Sequence, residues 1–391
     1  MTNNKYIIKN LAPWMLDELI AFAEMARYDL ILLRKQRDFY KYGLDQLKTK
    51  GINIYIKPYN NKMVFSKIKT ILNFCISNFL KIRFNYNGVI LLKSLVWFVR
   101  MDLSIFSKDS NIHAQFATQP AIISLLIKKH FYNLPSYSFT FHAYDIFFKN
   151  NWFEMLIKNC KYAISVSNYN IHYIEDNYSK GNHNKIILSR LGVFLPKKCD
   201  PNNKREFNKI SVGLMSWFVE KKGILYLLES IKELVNNNFN VQLTLAGDGP
   251  LRDVILDYIA SNKLNNHIIY IGKIHGEEKE KFFNDIDLFI LPSIPTSKDM
   301  DGIPVVLMEA ISYGIPIIST NVSGIPEICR HHINGLLVPP RDVIKLTEAI
   351  LYFMEMSDKE YLKYSRNAII ISKEYNIIEN SKNKIKILGF L

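Results

Sequence analysis

The stretch Asp301-Gly302-Ile303-Pro304-Val305-Val306-Leu307-Met308-Glu309-Ala310-Ile311-Ser312-Tyr313-Gly314-Ile315-Pro316 sets an acid ahead of a loop-to-helix junction and a second acid eight positions later. Proline is preorganised for a first helical turn and glycine lets the backbone approach a ligand closely, so the segment reads as a loop feeding a helix near Val305. Asp301 then precedes the helix, and Glu309 lies about two turns down it. Unpaired amides at a helix start attract phosphate or polar sugar oxygens, and two carboxylates on one side can hold vicinal hydroxyls. That combination suits a nucleotide sugar. The spacing alone fits a capped helix with an exposed glutamate equally well, so the flanking residues decide.

Those residues are Leu291-Pro292-Ser293 after the strand-like Asp287–Leu291, then Gly314-Ile315-Pro316 running to Thr320, Gly324-Ile325-Pro326-Glu327, and Asn334-Gly335 running to Pro339. With them the chain resembles the retaining glycosyltransferases of family 4, above all the bacterial exopolysaccharide and lipopolysaccharide members. The resemblance is strong from about 209 to 342, looser from 112 to 193 and weak before 110. It implies an α/β chain of GT-B fold, two Rossmann-like domains facing each other across a cleft. The family's paired acids are glutamate, seven residues, glutamate; here the first is Asp301, one methylene shorter. By resemblance Glu309 binds the ribose hydroxyls of the donor, and Asp301 with the backbone of Gly302 and Ile303 faces the transferred sugar.

Glu220-Lys221-Lys222-Gly223 also leads into a helix, and a lysine beside a helix start can neutralise a departing diphosphate. The resemblance points to Lys222 for that role. Family members usually carry an arginine a few residues earlier, whereas this chain reads Gly213-Leu214-Met215-Ser216-Trp217. His142, in Phe139-Thr140-Phe141-His142-Ala143-Tyr144-Asp145, falls at the carboxyl end of a strand-like run, where open α/β sheets place ligands. Its match to a family histidine marks it as a catalytic candidate, and His113, Gln115 and Asp145 as acceptor-side candidates. His331 and His332 are adjacent, read as surface residues pointing apart.

Composition agrees with a globular chain: 48% of the 391 residues are hydrophobic and 22% charged, enough for two domains of ordinary size. No uncharged apolar run reaches membrane-spanning length, and the amino terminus lacks the apolar core of a secretory signal, so a cytoplasmic location is expected. The four cysteines are scattered without metal-ligand spacing, which points to free thiols.

Charge is uneven. Residues 1–200 hold 28 Lys and Arg against 13 Asp and Glu, net +15, whereas residues 201–391 hold 22 against 23, net −1. Residues 51–100 carry eight basic side chains and no acid. Within them Val64, Ile68, Ile71, Leu72, Cys75, Phe79 and Ile82 recur at helical spacing, an amphipathic helix with a basic flank. Such a helix fits an anionic leaflet, with residues about 57–100 as the docking surface, or an ordinary sheet-packed helix with solvated lysines. No nucleic-acid motif accompanies the charge, so nucleic acid is not expected as a partner.

Both halves alternate strand-like and helix-like segments, which argues for parallel sheets flanked by helices. Met15–Met25 reads as a helix; Tyr28–Leu33, Ile52–Ile56, Ile112–Ala121, Ser136–Phe147, Tyr162–Ser167 and Lys185–Ser189 read as strands. The polar Pro196–Glu206 is the linker, after which Lys209–Gly213, Val241–Ala246 and Ile268–Gly272 restart the pattern. The domains predicted are 1–195 on the acceptor side and 196–370 on the nucleotide-sugar side, with a last helix, about 371–391, crossing back to the first.

The expected function is transfer of a sugar, with retention, from a nucleotide-diphosphate donor, UDP favoured, to a lipid-linked or oligosaccharide acceptor. The enzyme would work in cell-surface polysaccharide synthesis at the inner face of the cytoplasmic membrane. No cofactor or metal is expected. Two other readings remain: a sugar-nucleotide epimerase on the same fold, which the basic first half disfavours, and a non-catalytic assembly subunit, which the missing arginine and Asp301 favour.

Overall fold

A computed structural model of the chain describes residues 4–36, 40–60, 64–78, 86–107, 109–131, 137–147, 152–178, 184–196, 209–297 and 299–390. It divides into two compact units, Met1–Gly192 with Ile377–Leu391, and Val193–Asn376. Most of the Pro196–Glu206 linker lies outside the described residues.

The first unit runs β1 (Asn4–Ile8), α1 (Pro13–Met25), β2 (Asp29–Leu32), α2 (Lys41–Thr49), β3 (Asn53–Ile56), α3 (Val64–Asn78), α4 (Tyr86–Arg100), β4 (Asn111–Gln115), α5 (Gln119–His130), β5 (Ser138–Phe141), α6 (Ala143–Phe147), α7 (Phe153–Asn159), β6 (Ala163–Ser165), α8 (Asn168–Asn177) and β7 (Ile186–Leu188). Its seven strands lie in the order β3-β2-β1-β4-β5-β6-β7, and every pairing is parallel. Alternate side chains of a strand face opposite sides. Thus Ile7 joins the core under α4 and α5, while Tyr6 and Ile8 join the one under α1 and α2. α5 is buried from Gln119 to Ile127, because helices cover it as well as the sheet, and its last turn places Lys128, Lys129 and His130 at the negative helix end.

The second unit runs β8 (Lys209–Trp217), α9 (Ile224–Asn236), β9 (Asn240–Asp248), α10 (Arg252–Ser261), β10 (Ile268–Gly272), α11 (Glu277–Asn284), β11 (Leu288–Leu291), α12 (Val305–Ser312), β12 (Ile317–Thr320), α13 (Ile325–Ile328), β13 (Gly335–Val338), α14 (Val343–Glu355) and α15 (Asp358–Ser372). Its sheet order is β10-β9-β8-β11-β12-β13, again parallel. β11 and β12 are buried at every position, as strands covered on both faces must be; β11 reads as an unbroken apolar run, and the two polar residues of β12, Ser319 and Thr320, donate their hydroxyls to the carbonyls of Leu291 and Ser293. α16 (Ile377–Leu388) then packs in the first unit, where Ile385 and Leu388 enter the α1 core and Asn111 Nδ2 donates to the Gly389 carbonyl at 3.1 Å.

Several expectations need correction. Residues 4–8 form a central strand that Lys5 disguised; its ammonium is buried in an ion pair with Asp29. Ile112–Ala121 and Ser136–Phe147 each hold a strand followed by a helix start rather than one strand. In α3 the inward residues are Lys67 and Phe74, with Ile71 packed on the core, and Ile68, Leu72 and Ile76 are exposed. Lys67 is drawn in because its ammonium donates to the carbonyl of Val99 at 2.8 Å and also to that of Met101, at the end of α4. Phe79 and Ile82 lie outside the described residues. α4 likewise exposes Val89, Leu92 and Val96. His331 and His332 are exposed, yet their rings lie 4.2 Å apart, because His332 takes a left-handed φ of 58°.

Candidate active site

An open α/β sheet binds ligands beyond the carboxyl ends of its strands where the strand order reverses. In the second unit that point lies between β8 and β11. After β8 the chain makes one 3₁₀ turn, Glu220–Lys222, and enters α9 through Gly223, whose φ is 65°. A Cβ on Gly223 would stand 1.9 Å from the Pro292 carbonyl oxygen, so this glycine is what lets the loop after β11 press against the start of α9. The Ile294 N–H donates to the Lys221 carbonyl at 2.8 Å and stitches the same two loops together.

Asp301 sits buried in that join. Its carboxylate accepts from Lys222 Nζ at 2.9 and 2.8 Å and from Ser293 Oγ at 2.6 Å, and Lys221 Nζ lies at 3.3 Å. Burial alone pushes this acid up, but Lys222 and Lys221 outweigh it and hold the carboxyl below its ordinary range. Lys221 also donates to Asp299 at 2.6 Å; burial lowers its ammonium, and Asp301 and Asp299 raise it above its usual value. Lys221, Ser293 and Asp299 were not singled out in the sequence, where only the Lys222-Gly223 step fitted a pattern.

α12 begins at Val305, as the sequence suggests: Pro304 is its N-cap, extended at ψ 128°, and no side chain caps the first turn. Gly302 and Ile303 form the bend before it, with Ile303 buried. Glu309 is the fifth residue of α12, not two turns in, and accepts from Lys279 Nζ of α11 at 2.5 Å. Burial raises its carboxyl above the ordinary value, partly offset by Lys279. The two motif acids therefore rest on different lysines. Where the family carries arginine, β8 runs on through Trp217, which is 53% exposed with Lys273 Nζ 5.6 Å from its ring centroid.

In the first unit the order reverses between β1 and β4. Around that point gather Trp14 of α1, Phe116 after β4 and His142 after β5, with ring centroids of Trp14 and Phe116 at 5.1 and 4.7 Å from that of His142. Phe116 holds a φ of 76°, a strained conformation for an aromatic residue, which aims its ring at the histidine. His142 Nε2 faces Gln115 Nε2 at 3.0 Å. Burial and the Lys384 cation push His142 down to about 3, so the imidazole is neutral at pH 7 and carries one N–H.

The acceptor-side candidates fare differently. His113 is fully buried, with Nδ1 at 2.9 Å from Ser138 Oγ and Nε2 at 3.0 Å from Thr140 Oγ1, so it is a core histidine with neither nitrogen left for an acceptor. Gln115 is buried, with its Nε2 against His142 Nε2 and its Oε1 accepting from the Tyr6 hydroxyl. Asp145 is buried; its Oδ2 accepts from the His142 backbone N–H at 2.8 Å, and desolvation raises it to about 7. It holds the turn in which His142 sits. Among the described residues no cluster of three or more His, Cys, Asp or Glu could hold a metal ion. The described cysteines, Cys75, Cys160 and Cys329, are free.

Residues 200–370 match the family described as Glycosyl transferases group 1. The putative colanic acid biosynthesis glycosyltransferase WcaL of Escherichia coli (strain K12) is 30% identical over 177 residues, 45% of this chain and 44% of that protein. The amylovoran biosynthesis glycosyltransferase AmsK of Erwinia amylovora is 31% identical over 169 residues, 43% of this chain and 41% of that one. The chain thus spans less than half the length of these relatives. Among solved structures, a glycosyltransferase from Rickettsia africae ESF-5 superposes with a TM-score of 0.72 at 18% identity, covering 99% of this chain and 97% of the other. Anabaena Alr3699/HepE in complex with UDP and glucose gives 0.68 at 15% identity over 100% of both chains. Two parallel-sheet α/β units thus have the GT-B fold, and residues 200–370, which make up most of the second, carry the sequence pattern of the group 1 glycosyl transferases.

Proposed function

We propose that the protein transfers a sugar from a nucleotide-diphosphate donor to a lipid-linked saccharide acceptor in the synthesis of a surface polysaccharide, with retention of anomeric configuration. The observation that carries this reading is the Lys222–Asp301 pair at the reversal point of the second sheet, beside the start of α9. The relatives named for colanic acid and amylovoran biosynthesis support the product class, and the neighbour crystallised with UDP and glucose supports a UDP-sugar donor.

In this mechanism Lys222 leaves Asp301 for the donor diphosphate, and the uncapped amides of the α9 and α12 starts add their partial positive charge. The bond from the anomeric carbon to the diphosphate oxygen breaks as the acceptor oxygen bonds to that carbon on the same face and gives its proton to the departing diphosphate, whose growing charge these preorganised groups stabilise. Asp301, freed of Lys222, takes a hydroxyl of the transferred sugar. Glu309 exchanges Lys279 for the ribose hydroxyls. His142 positions an acceptor hydroxyl on the first unit. Lysines and backbone amides supply all the positive charge, so the reading requires no metal.

A lipid-linked acceptor calls for a membrane-facing surface. The exposed Ile68, Leu72, Ile76, Val89, Leu92 and Val96 of α3 and α4, in a segment with eight basic residues and no acid, support docking on an anionic leaflet. No described helix is long and apolar enough to cross a membrane. The test is calorimetry and product analysis with UDP- and GDP-sugars: saturable UDP-sugar binding, lost in Glu309→Ala, and a product of the donor's anomeric configuration are expected. Unchanged nucleotide affinity in Glu309→Ala, or an inverted product, overturns the assignment.

A further inference from the structure

We propose that Lys384 on α16 determines which ring nitrogen of His142 carries the hydrogen, acting through Glu18, Tyr6 and Gln115. The four are positioning residues for His142, and their bearing on turnover rests on the role given to His142 above. The connection is continuous. Lys384 Nζ donates to Glu18 Oε1 at 2.8 Å, with both side chains almost wholly buried. The Tyr6 hydroxyl lies 3.0 Å from Glu18 Oε2 and 2.8 Å from Gln115 Oε1. Gln115 Nε2 lies 3.0 Å from His142 Nε2.

Hydrogen counting gives this chain two states. A tyrosine hydroxyl has one hydrogen, and here two acceptors compete for it. Given to Gln115 Oε1, it fixes the amide with its N–H toward His142, whose Nε2 must then offer a lone pair, so the ring hydrogen sits on Nδ1. Given to Glu18, it leaves the hydroxyl oxygen facing Gln115 lone pair to lone pair; the amide turns over, its oxygen accepts from His142, and the ring hydrogen moves to Nε2. One hydrogen on Tyr6 therefore selects the tautomer of a ring on another strand.

Lys384 settles the competition. Its cation on Glu18 weakens the pull of that carboxylate on the Tyr6 hydrogen and leaves the hydrogen to Gln115, in keeping with the shorter of the two contacts. The low dielectric of the interior does little to blunt the wiring: Tyr6 is packed against Phe22, Tyr28 and His113, and Lys384 Nζ lies 5.8 Å from the Phe22 ring centroid. Well-packed apolar side chains in place of a buried ion pair are often neutral or stabilising, so packing alone is a weak account of the pair.

Two-bond ¹H–¹⁵N correlation spectra of the whole chain labelled at histidine, with His142→Gln to assign the signal, read the tautomer directly. Wild type is expected with the hydrogen on Nδ1. Lys384→Met should move it to Nε2 once the pH is high enough to ionise Glu18 without its cation, and Glu18→Gln added to Lys384→Met should restore Nδ1 at every pH, because a neutral amide no longer draws the Tyr6 hydrogen. Gln115→Glu, nearly isosteric and without an N–H, should force the Nε2 form and serves if Lys384→Met does not fold. Turnover should fall about tenfold with each Nε2 form and recover in the double variant. An Nε2 hydrogen in wild type, an unmoved tautomer in folded Lys384→Met with Glu18 ionised, or an unmoved tautomer in Gln115→Glu overturns the proposal. Tautomers that move as stated while His142→Gln turns over like wild type uphold the wiring and refute the role of His142 instead.

Discussion

Lys222 and Asp301 meet at 2.8 Å across the point where the second sheet reverses, one following β8 and the other following β11. The pair ties two loops whose backbones already touch at Gly223 and Pro292, and it holds a cation and an acid for polar substrate groups to divide between them.

Asp301 should shape the acid limb of stability. Burial raises its carboxyl, but Lys222 and Lys221 more than compensate, so the folded value lies below the unfolded one. Such a group stabilises the fold above the unfolded value of about 3.9 and loses that contribution as pH falls through the folded value. Asp301→Asn is expected to cost about 2 kcal/mol at pH 7, under the usual figure for a broken buried pair because both lysines reach solvent. Urea titrations from pH 7 to 2 should show the gap closing below about pH 3.9; a constant gap counts against the pairing.

Glu309 should behave in the opposite sense. Burial lifts its carboxyl and Lys279 only partly offsets this, so the ionised acid costs stability once pH exceeds the unfolded value of about 4.3. Glu309→Gln is expected to raise the melting temperature at pH 7 by about 2 °C while removing nucleotide affinity. A lower melting point would mean that the Lys279 contact outweighs desolvation.

Gly223→Ala tests the loop contact. A Cβ there meets a backbone oxygen at 1.9 Å on a left-handed residue, and neither partner has a flexible end to yield. The loss should be about 3 kcal/mol in thermal or urea unfolding, with Lys222 displaced and donor affinity reduced. Alanine tolerated at full stability would show that the loop after β11 moves freely.

The exposed stripe can be challenged by charge. Leu72→Glu with Leu92→Glu should abolish sedimentation with phosphatidylglycerol vesicles and leave stability within about 0.5 kcal/mol, since both side chains already face solvent. Neutral phosphatidylcholine vesicles should bind wild type weakly, and equal binding to both would remove the basic residues from the account.

His142 is held neutral by burial and by Lys384, with its titration moved down to about 3. The pH profile of turnover should therefore show no limb from this residue near the usual histidine value of about 6.5. His142→Gln should lower the rate by a factor that does not change between pH 5.5 and 8, roughly the span over which a free histidine titrates. A factor that varies over that range would show a titrating ring.

Much of the architecture could be read from apolar periodicity, because strands buried on both faces, such as Leu288–Leu291, have no polar alternation to mislead. The failures came where a charged residue does the work of an apolar one: Lys5 in β1 and Lys67 in α3 are turned inward by partners distant in sequence. The same distance hid half of the candidate site. Asp301 and Glu309 were legible through their spacing together with the residues flanking it, whereas Lys279 meets Glu309 across 30 positions and Gln115 meets His142 across 27 from a neighbouring strand. Contacts of that kind belong to the sheet order, and no local pattern carries them.

The placement of α16 bears on how the molecule comes into being. Ile385, Leu388 and Phe390 complete the core beneath α1, and Glu18 finds its cation in Lys384. A ribosome therefore releases the whole of Val193–Asn376, a compact unit with its own sheet, before the opening half of the polypeptide receives the piece that finishes it. The nascent protein should mature from the middle outward, and its earliest-made residues should be the last to resist a protease.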